Sequence, residues 1–284
     1  MRRVLITGAG GQLGRELQDA FAGYDVIACD HSRLDVTDRD AVLQAVCSAA
    51  PDDIVHAAAW TAVDACEGDP ERAFLVNALA CRHVAEAARL SGAHLCSVST
   101  DYVFDGTSPR PYQEWDEPSP RSVYGQSKWG GELEVLRGAP GASVVRTSWV
   151  CGRYGANMVK TVLRLGAQPG PLAFVDDQHG CPTFADDLAG AIRMLVGRRL
   201  PGLFHVTNQG PTTWYGFACD VLAAAGMAPE RVRPITTAEL DPPRPAPRPA
   251  NSVLDNFALR QLGLPLLPDY HVALERTVKE LLQS

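Results

Sequence analysis

Tyr124 and Lys128 are the two residues whose types and spacing most clearly predict chemistry. They occur in the sequence Val-Tyr-Gly-Gln-Ser-Lys, and residues four apart lie one above the other on a helix face. An ammonium beside a phenol stabilises the phenolate, so we expect it to lower the phenol pKa from its usual value of about 10. Such a pair can donate a proton near neutral pH. Because the spacing also occurs on ordinary amphipathic helices, the assignment depends on the rest of the chain.

A glycine-rich turn near the start of the chain predicts a dinucleotide-binding site. Gly8, Gly11 and Gly14 form a Gly-x-x-Gly-x-x-Gly pattern that follows a strand-like run, Arg3–Thr7, and opens a helix-like segment. Glycines allow a tight turn and a close approach of the backbone to a pyrophosphate, whose charge rests at the helix N-terminus. The intervening Gln12 and Leu13 belong to the same predicted cofactor site.

An acidic residue after the second strand-like run bears on which cofactor binds. Asp30 stands where a carboxylate can accept hydrogen bonds from the adenosine ribose, and Asp35 and Val36 follow where the adenine would lie. The charge of Asp30 should repel a 2′-phosphate, which favours NADH. Ser32 and Arg33 could accept such a phosphate, which favours NADPH, so both cofactors remain open.

The elements that must position these residues alternate between strand and helix patterns through the first half of the chain. This alternation predicts an α/β fold, a Rossmann-type doubly wound parallel sheet with helices on both faces. Residues 1–147, with about 184–206, are the predicted dinucleotide-binding domain, and residues 148–183 and 207–284 the smaller C-terminal substrate-binding lobe. The expected strands are Arg3–Thr7, Asp25–Cys29, Asp53–Ala57, Leu95–Ser99 and Ser143–Arg146; the expected helices include Gln12–Phe21, Asp38–Ala49, Pro70–Ser91 and Tyr124–Arg137.

Composition excludes several classes of protein. The formal net charge of −7, without a cluster of Lys or Arg, lacks the basic footprint of a nucleic-acid-binding protein. No apolar run reaches the roughly 18 residues that would span a membrane. The eight cysteines show neither a Cys-x-x-Cys pair nor regular spacing, which argues against a zinc site and a disulfide framework. We therefore expect a cytoplasmic protein with no nucleic-acid partner, no membrane partner and no metal in its site.

Further sequence blocks, taken with the glycine turn and the Tyr124–Lys128 pair, resemble a known family. The chain resembles the extended short-chain dehydrogenase/reductase superfamily over essentially its whole length and, more narrowly, the dTDP-4-dehydrorhamnose reductase family. The resemblance implies NADPH- or NADH-dependent reduction of the 4-keto group of a dTDP-4-keto-6-deoxysugar, giving dTDP-L-rhamnose. The blocks that carry the narrower resemblance are Ala57–Asp64, Ser99–Gly106, Arg146–Val150, Asp177–Thr183 and Arg248–Ser252.

The same resemblance implies roles for individual residues. Thr100, Tyr124 and Lys128 are the implied catalytic residues, and Tyr124 and Lys128 would also contact the cofactor. Thr100 ends the fourth predicted strand, where ligands of doubly wound sheets bind, so its hydroxyl could bond the reacting carbonyl oxygen. Residues implied to line the cofactor are Ala59, Trp60 and Thr61, and those implied to contact the substrate are Asp101 and Trp149 together with Thr100 and Tyr124.

Several alternatives remain open at this stage. A related sugar-nucleotide 4-ketoreductase or an epimerase would use the same Tyr and Lys, and the β-subunit of methionine adenosyltransferase is a non-catalytic, NADP-binding regulatory relative. A dehydratase is disfavoured because Asp101 is followed by Tyr102, where those enzymes carry Asp-Glu. Family resemblance leaves the protein a monomer or a homodimer, and Glu275 and Glu280 could hold Mg²⁺ at a dimer interface.

Overall fold

Six parallel strands form the central sheet of the protein, which a computed structural model describes for residues 1–283. Short runs rich in Val and Ile favour strands that are buried on both faces. The strand order is β10-β5-β4-β3-β1-β2, and the predicted Rossmann-type fold class is confirmed. The strands are β1 (Arg3–Thr7), β2 (Asp25–Cys29), β3 (Asp53–His56), β4 (His94–Thr100), β5 (Ser143–Thr147), β6 (Val150–Cys151), β7 (Leu172–Val175), β8 (His179–Gly180), β9 (Thr183–Phe184), β10 (Gly202–His205), β11 (Thr212–Thr213) and β12 (Val232–Ile235).

Helices cover both faces of this sheet and build most of the C-terminal lobe. Several begin at a side chain that accepts a backbone hydrogen bond, as expected of a helix cap: Asp38, Ser122 and Asn157. The helices are α1 (Gln12–Ala20), α2 (Arg39–Ala49), α3 (Val63–Gly68), α4 (Pro70–Phe74), α5 (Ala80–Ser91), α6 (Val123–Gly138), α7 (Met158–Gly166), α8 (Ala185–Arg198), α9 (Trp214–Ala224), α10 (Phe257–Gln261) and α11 (Tyr270–Gln283).

A π-helical turn interrupts the helix predicted over Pro70–Ser91. The turn spans Leu75–Leu79 between α4 and α5. Within it, the Asn77 side chain accepts a hydrogen bond from the Trp60 backbone N–H at 2.8 Å and donates to the Trp60 carbonyl oxygen at 3.1 Å. Such turns are frequent at functional sites. Here the turn brings Asn77 against the loop that follows β3.

Three groups of buried apolar side chains correspond to the layers of the fold. One packs between the sheet and helices α1 and α8, and a second between the sheet and helices α2 and α5. A third lies inside the lobe and includes Phe184, Phe217 and Val278. The division into two domains stays a prediction, which the separate lobe core supports. Leu259 and Leu264, although in the predicted lobe, pack with the first group against the sheet.

The proline-rich segment Asp241–Asn251, called the strap below, forms neither helix nor strand over residues 241–250. Proline lacks the amide donor that both structures need. The strap ends beside Gly106, whose carbonyl oxygen accepts a hydrogen bond from the Asn251 N–H at 3.2 Å. It therefore runs from the lobe back onto the predicted dinucleotide-binding domain. Within residues 1–283, the helices are all too short or too polar to cross a bilayer.

Candidate active site

Two adjoining cavities lie at the carboxyl edge of the parallel sheet, where doubly wound folds bind ligands. The first has a volume of about 790 Å³ and is walled by the glycine turn, the loop after β2 and the loop after β3. The second has a volume of about 540 Å³ and lies between the ends of β4 and β5, helix α6 and the lobe. Gly8, Gly11, Ala57 and Ala59 line both cavities, which therefore form one continuous site.

The three glycines of the turn meet different steric demands. Gly8 has a φ of +68°, and a Cβ there would lie 2.7 Å from the Ala58 backbone nitrogen. A Cβ on Gly14 would lie 2.1 Å from the Gly8 carbonyl oxygen, so α1 can pack closely only with glycine there. A Cβ on Gly11 would meet only that oxygen, at 3.2 Å, and would otherwise enter the cavity. The turn thus leaves open the space that a dinucleotide pyrophosphate requires.

Asp30 lies at the mouth of the first cavity with its carboxylate already engaged. One oxygen accepts hydrogen bonds from the Ser32 N–H at 3.0 Å, the Ser32 hydroxyl at 2.7 Å and the Arg33 N–H at 3.1 Å. These bonds lower the pKa of Asp30, which is ionised at neutral pH. Arg33 itself donates to the Ala28 carbonyl oxygen. Ser32 and Arg33, the two residues that could accept a 2′-phosphate, are therefore each held by a local hydrogen bond. Asp35 and Val36 also line the first cavity.

The loop after β3 joins the two cavities. Ala59 lines both, Trp60 lines the first and Thr61 lines the second. Asn77 holds the Trp60 backbone from both sides, and the Arg72 guanidinium lies 4.5 Å from the centre of a Trp60 ring. The cofactor role of this loop stays a prediction, and its backbone is held in place before any ligand enters.

Gln12 and Leu13 line the second cavity at the start of α1. The Gln12 side-chain amide donates to the Val150 carbonyl oxygen at 2.9 Å and accepts from the Asn157 amide at 2.7 Å. Gln12 therefore ties the glycine turn to the lobe, a contact between distant parts of the chain that the glycine pattern does not reveal.

The structure brings Thr100, Tyr124 and Lys128 together on one wall of the second cavity. Thr100 ends β4, while Tyr124 and Lys128 lie one turn apart on α6, and all three side chains are buried. Thr100 lies close enough to Tyr124 to influence the pKa of its phenol. The Lys128 ammonium donates to the Val98 carbonyl oxygen at 2.7 Å. This constellation can polarise a carbonyl oxygen and donate a proton to it.

The expected lowering of the Tyr124 pKa is wrong. Burial raises this pKa, and the nearby Thr100 hydroxyl only partly opposes that effect. Burial also lowers the pKa of Lys128, because desolvation disfavours its charge. The helical spacing predicted the shared face correctly, but it carried no information on how deeply that face is buried. The phenol consequently remains protonated at neutral pH, as a proton donor must.

Asp101 contributes a buried carboxyl group to the same wall. One oxygen accepts a hydrogen bond from the Thr100 hydroxyl at 3.1 Å, and the other has no hydrogen-bond partner among the described residues. Burial raises the pKa of Asp101 to about 6. A buried polar atom without a partner costs free energy, so this oxygen is suited to bond a ligand hydroxyl.

Trp149 follows β5 in a strained conformation and lines the second cavity. Its φ of +47° lies in the left-handed region, which residues other than glycine rarely adopt. Its indole stacks on that of Trp214, with ring centres 3.5 Å apart and planes 7° apart. A Cβ on Gly180 would lie 2.4 Å from the same indole, so only glycine fits there.

Several lining residues were not predicted from the sequence. Trp214, at the start of α9, covers one face of Trp149 and carries no motif beyond its aromatic type. Thr147 lies at the end of β5 with a buried hydroxyl that lacks a partner among the described residues. Its place at a strand end was the available signal, as it was for Thr100. The other lining residues not predicted as site residues are Val63, Val98, Ser99, Tyr102, Ser148, Val150, Gly155 and Ala156.

A third cavity, of about 380 Å³, opens in the lobe beside Trp214 and Tyr102. Gln178 of the lobe and two arginines of the strap, Arg244 and Arg248, also line it. Tyr102 lines both this cavity and the second one. Its ring packs edge-on against that of Tyr124, with centres 5.5 Å apart. Two guanidiniums in one wall suit an anionic ligand.

Comparison with known proteins places this architecture in a family. The family described as the RmlD substrate binding domain matches residues 1–283. The chain is 43% identical over 280 residues to a dTDP-4-dehydrorhamnose reductase of Streptomyces griseus, covering 96% of this chain and 91% of the relative. The chain belongs to the dTDP-4-dehydrorhamnose reductase family. This finding confirms the resemblance carried by the sequence blocks.

Two further relatives of the family illustrate its range. The crystal structure of a dTDP-4-dehydrorhamnose reductase from Bacillus anthracis in complex with NADP is 40% identical, with a TM-score of 0.95, covering 99% of this chain and all of that one. A probable dTDP-4,6-dihydroxy-2-methyloxan-3-one 4-ketoreductase of Streptomyces antibioticus is 44% identical over 287 residues, covering 99% of this chain and 96% of the relative.

The glutamates considered for Mg²⁺, Glu275 and Glu280, are both exposed on α11. Across residues 1–283, no three His, Cys, Asp or Glu side chains gather closely enough to hold a metal ion. A metal shared between two copies of a family member would need ligands from both, so Mg²⁺ and the homodimer stay predictions.

Gly11→Val should abolish binding of NADH and NADPH, because the branched side chain would fill the space facing the pyrophosphate. Fluorescence titration with each dinucleotide measures the loss. Gly141→Val is the matched control, because a Cβ on Gly141 meets nothing within 4 Å. Unchanged affinity in Gly11→Val would show that the turn has only a structural role.

Asp30→Asn should shift cofactor preference toward NADPH by roughly tenfold, because it removes a charge near the expected 2′-phosphate. The amide keeps the acceptor that holds Ser32 and Arg33. The ratio of the two dissociation constants, measured at low salt, reports the shift. Asp38→Asn makes the same charge change at the cap of α2, outside the cavity, and should leave the ratio unchanged. A shift toward NADH would contradict the placement of Asp30.

Asp101→Asn should change the pH dependence of stability. The folded-state pKa of Asp101 is about 6, above the usual value of about 4, so its favourable contribution is complete below about pH 4 and is lost as the pH rises through about 6. The unfolding free energy of the variant minus that of the parent should therefore increase by up to about 3 kcal/mol as the pH rises from 4 to 7.

Chemical denaturation at each pH measures this difference. Asp105→Asn serves as the control, because hydrogen bonds lower the pKa of Asp105 in the folded protein, so its contribution to stability changes mainly below about pH 4 and its parent–variant difference should stay nearly flat from pH 4 to 7. A parent–variant difference for Asp101→Asn that stays flat from pH 4 to 7 would contradict the assigned burial.

Proposed function

We propose that this protein is a dTDP-4-dehydrorhamnose reductase that uses NADPH or NADH to reduce the 4-keto group of dTDP-4-dehydro-6-deoxy-L-mannose to dTDP-L-rhamnose. The observation that carries the proposal is the buried set Thr100, Tyr124 and Lys128 on a cavity continuous with the dinucleotide turn. The relatives with reductase names share the whole length of the chain. The reaction class is therefore hydride transfer with protonation of the resulting alkoxide.

The residues present fit a nicotinamide dinucleotide. The open face of Gly11 would admit the pyrophosphate, Asp30 in the lining of the first cavity would bind the adenosine ribose, and Ala59 lines both cavities. When bound, the cofactor supplies the hydride. Lys128, held on the Val98 carbonyl oxygen, lies on the wall where it would bind the nicotinamide ribose.

Proton delivery falls to the side chains of α6 and β4. Tyr124 is protonated at neutral pH and donates its proton to the carbonyl oxygen as negative charge develops there. Thr100 bonds Asp101 and lines the same cavity as Tyr124, so its hydroxyl can hold the same carbonyl oxygen beside the phenol. The sugar carbon gains a hydride and its oxygen gains a proton, which balances the reduction. Fixing these groups before the reaction lowers the barrier by avoiding reorientation.

The sugar nucleotide extends from the second cavity into the third. Trp149 and Trp214, stacked on each other, present an apolar surface between the two cavities. Arg244 and Arg248 supply positive charge for the diphosphate. Two guanidiniums share the single carboxylate of Asp64, so the wall keeps positive charge for a diphosphate, which supports a nucleotide-linked sugar as the substrate over a free sugar.

A related deoxysugar ketone is the second candidate substrate, because the probable 4-ketoreductase of Streptomyces antibioticus is as similar as the rhamnose-forming relative. Incubation with dTDP-4-dehydrorhamnose and NADPH, followed by NMR of the product sugar, separates the two. Formation of dTDP-L-rhamnose supports the first assignment. A non-catalytic regulatory role would give no NADPH oxidation with either ketone.

The eight cysteines of the chain are free thiols, most of them buried. Free thiols suit a reducing compartment, and we place the reaction in the cytoplasm. Its small-molecule partners are the cofactor and the dTDP-sugar.

Tyr124→Phe should slow turnover by about 10²–10⁴-fold, because only the proton donor is lost. NADPH absorbance in the presence of the keto sugar measures the rate, and fluorescence titration should show cofactor affinity within about twofold of the parent. Tyr24→Phe removes a phenol far from the cavities and is the matched control. A Tyr124→Phe enzyme with more than half the parent rate would overturn the assignment.

A further inference from the structure

Asp64 and Arg248 form an ion pair that joins the sequence blocks Ala57–Asp64 and Arg248–Ser252. The proposed chemistry gives this ion pair no role. Asp64 lies in the first turn of α3, directly after the loop that follows β3, and Arg248 lies in the strap. The Arg248 guanidinium donates to both carboxylate oxygens, with the Nη2–Oδ2 distance 2.7 Å. The Ala246 N–H donates to the same carboxylate at 3.1 Å, and Arg244 Nη1 lies 3.6 Å from it. One carboxylate thus gathers three groups of the strap.

The pair is stronger than an ordinary surface ion pair. Bidentate Arg–carboxylate geometry adds directional bonding to the charge attraction. The Arg248 side chain is only 12% exposed, which limits screening by solvent. Arg248 holds the pKa of Asp64 at about 2, so the carboxylate is ionised throughout the neutral range.

The strap depends on such contacts for its position. Its prolines lack backbone donors, so it cannot be held by a strand ladder. At its C-terminal end, Pro249 packs against Gly106, where a Cβ would lie 2.5 Å from the Pro249 Cα. Asp64 holds the strap just before this point, at Ala246 and Arg248. Arg248 and Tyr102 both line the third cavity.

We propose that Asp64 is a positioning residue for the second ligand: it holds Arg248, and through the strap Arg244, in the orientation that receives the diphosphate of a sugar nucleotide. This inference rests on the proposed function. Arg248 is fixed by its two bonds to Asp64 and a third to the Ala246 carbonyl oxygen at 2.8 Å. Arg244, whose side chain is 55% exposed and has only the longer contact, is free to close on the anion.

The sign of one measurement separates positioning from simple charge. Asp64 carries a negative charge beside the two arginines, so its neutralisation increases the positive potential of the cavity wall. If charge alone mattered, Asp64→Asn would bind a diphosphate more tightly. If Asp64 orients the guanidiniums, the same variant binds it more weakly despite the more favourable charge.

The test is calorimetry of the full chain with dTDP and, separately, with thymidine. We expect Asp64→Asn to weaken dTDP by about 10–100-fold, the cost of losing oriented charged hydrogen bonds. Thymidine, which lacks the diphosphate, should change by less than about twofold, and NADPH affinity should not change. In steady state, KM for the sugar nucleotide should rise while kcat stays close to that of the parent.

Asp116→Asn is the matched control. Asp116 also receives a bidentate Arg, Arg110, at 2.7 and 2.8 Å and a backbone N–H, that of Gln113, at 2.8 Å. It lines none of the three cavities, so dTDP affinity should be unaffected. Arg248→Lys keeps the charge and removes the bidentate geometry, and it should reproduce the loss seen in Asp64→Asn.

Each remaining outcome overturns a defined claim. Unchanged or tighter dTDP binding by Asp64→Asn rejects the positioning role. An equal loss for thymidine also rejects it, because the variant would then have disturbed the whole cavity. A parent protein that fails to bind dTDP at all rejects the proposed function itself, independently of Asp64.

Discussion

The buried carboxylate of Glu132 is the interaction on which the arrangement of the reacting groups depends. It accepts a hydrogen bond from the Ser99 hydroxyl at 2.5 Å and a bidentate pair from Arg146 at 2.7 and 2.8 Å. Both charged side chains are only 3% exposed. Burying the charges of Glu132 and Arg146 costs desolvation free energy, which their mutual attraction and hydrogen bonds offset. Loss of either partner would leave an uncompensated charge in the core.

This carboxylate joins the three elements whose ends form the second cavity. Ser99 directly precedes Thr100 at the end of β4, and Arg146 directly precedes Thr147 at the end of β5. Glu132 follows Lys128 by one helical turn and so shares its face of α6. The bonds to Glu132 therefore set how α6 is rotated above the sheet, and hence where Tyr124 and Lys128 stand relative to Thr100.

Close backbone packing supports the same placement. A Cβ on Gly125 would lie 2.2 Å from the Tyr102 carbonyl oxygen, and one on Gly131 would lie 2.3 Å from that of Asn77. Only glycine lets α6 approach the turn after β4 and the π-helical turn so closely. The interruption of the helix at Asn77 and the glycines of α6 are thus parts of one packing arrangement.

Local patterns in the sequence carried the fold and much of the site. The strand–turn–helix around Gly8 and the spacing of Tyr124 and Lys128 each lie within one short segment, so pattern alone reveals them. The stack of Trp149 on Trp214 and the bond of Asp64 to Arg248 join residues far apart in the chain, and no local pattern encodes them. The predicted lowering of the Tyr124 pKa was wrong for a related reason, since burial is a property of the assembled fold.

The lobe and the glycine turn are coupled through helix α1. Gln12 bonds Asn157, and one turn later Glu16 receives a bidentate bond from Arg153 at 2.9 and 3.0 Å. The two acceptors lie four residues apart and therefore on one face of the helix that the glycine turn opens. Glu16 is buried, and desolvation raises its pKa despite the bond from Arg153, so loss of Arg153 would leave a buried carboxyl group without its ion-pair partner. A shift of α1 on cofactor binding would consequently move the lobe wall that closes the second cavity.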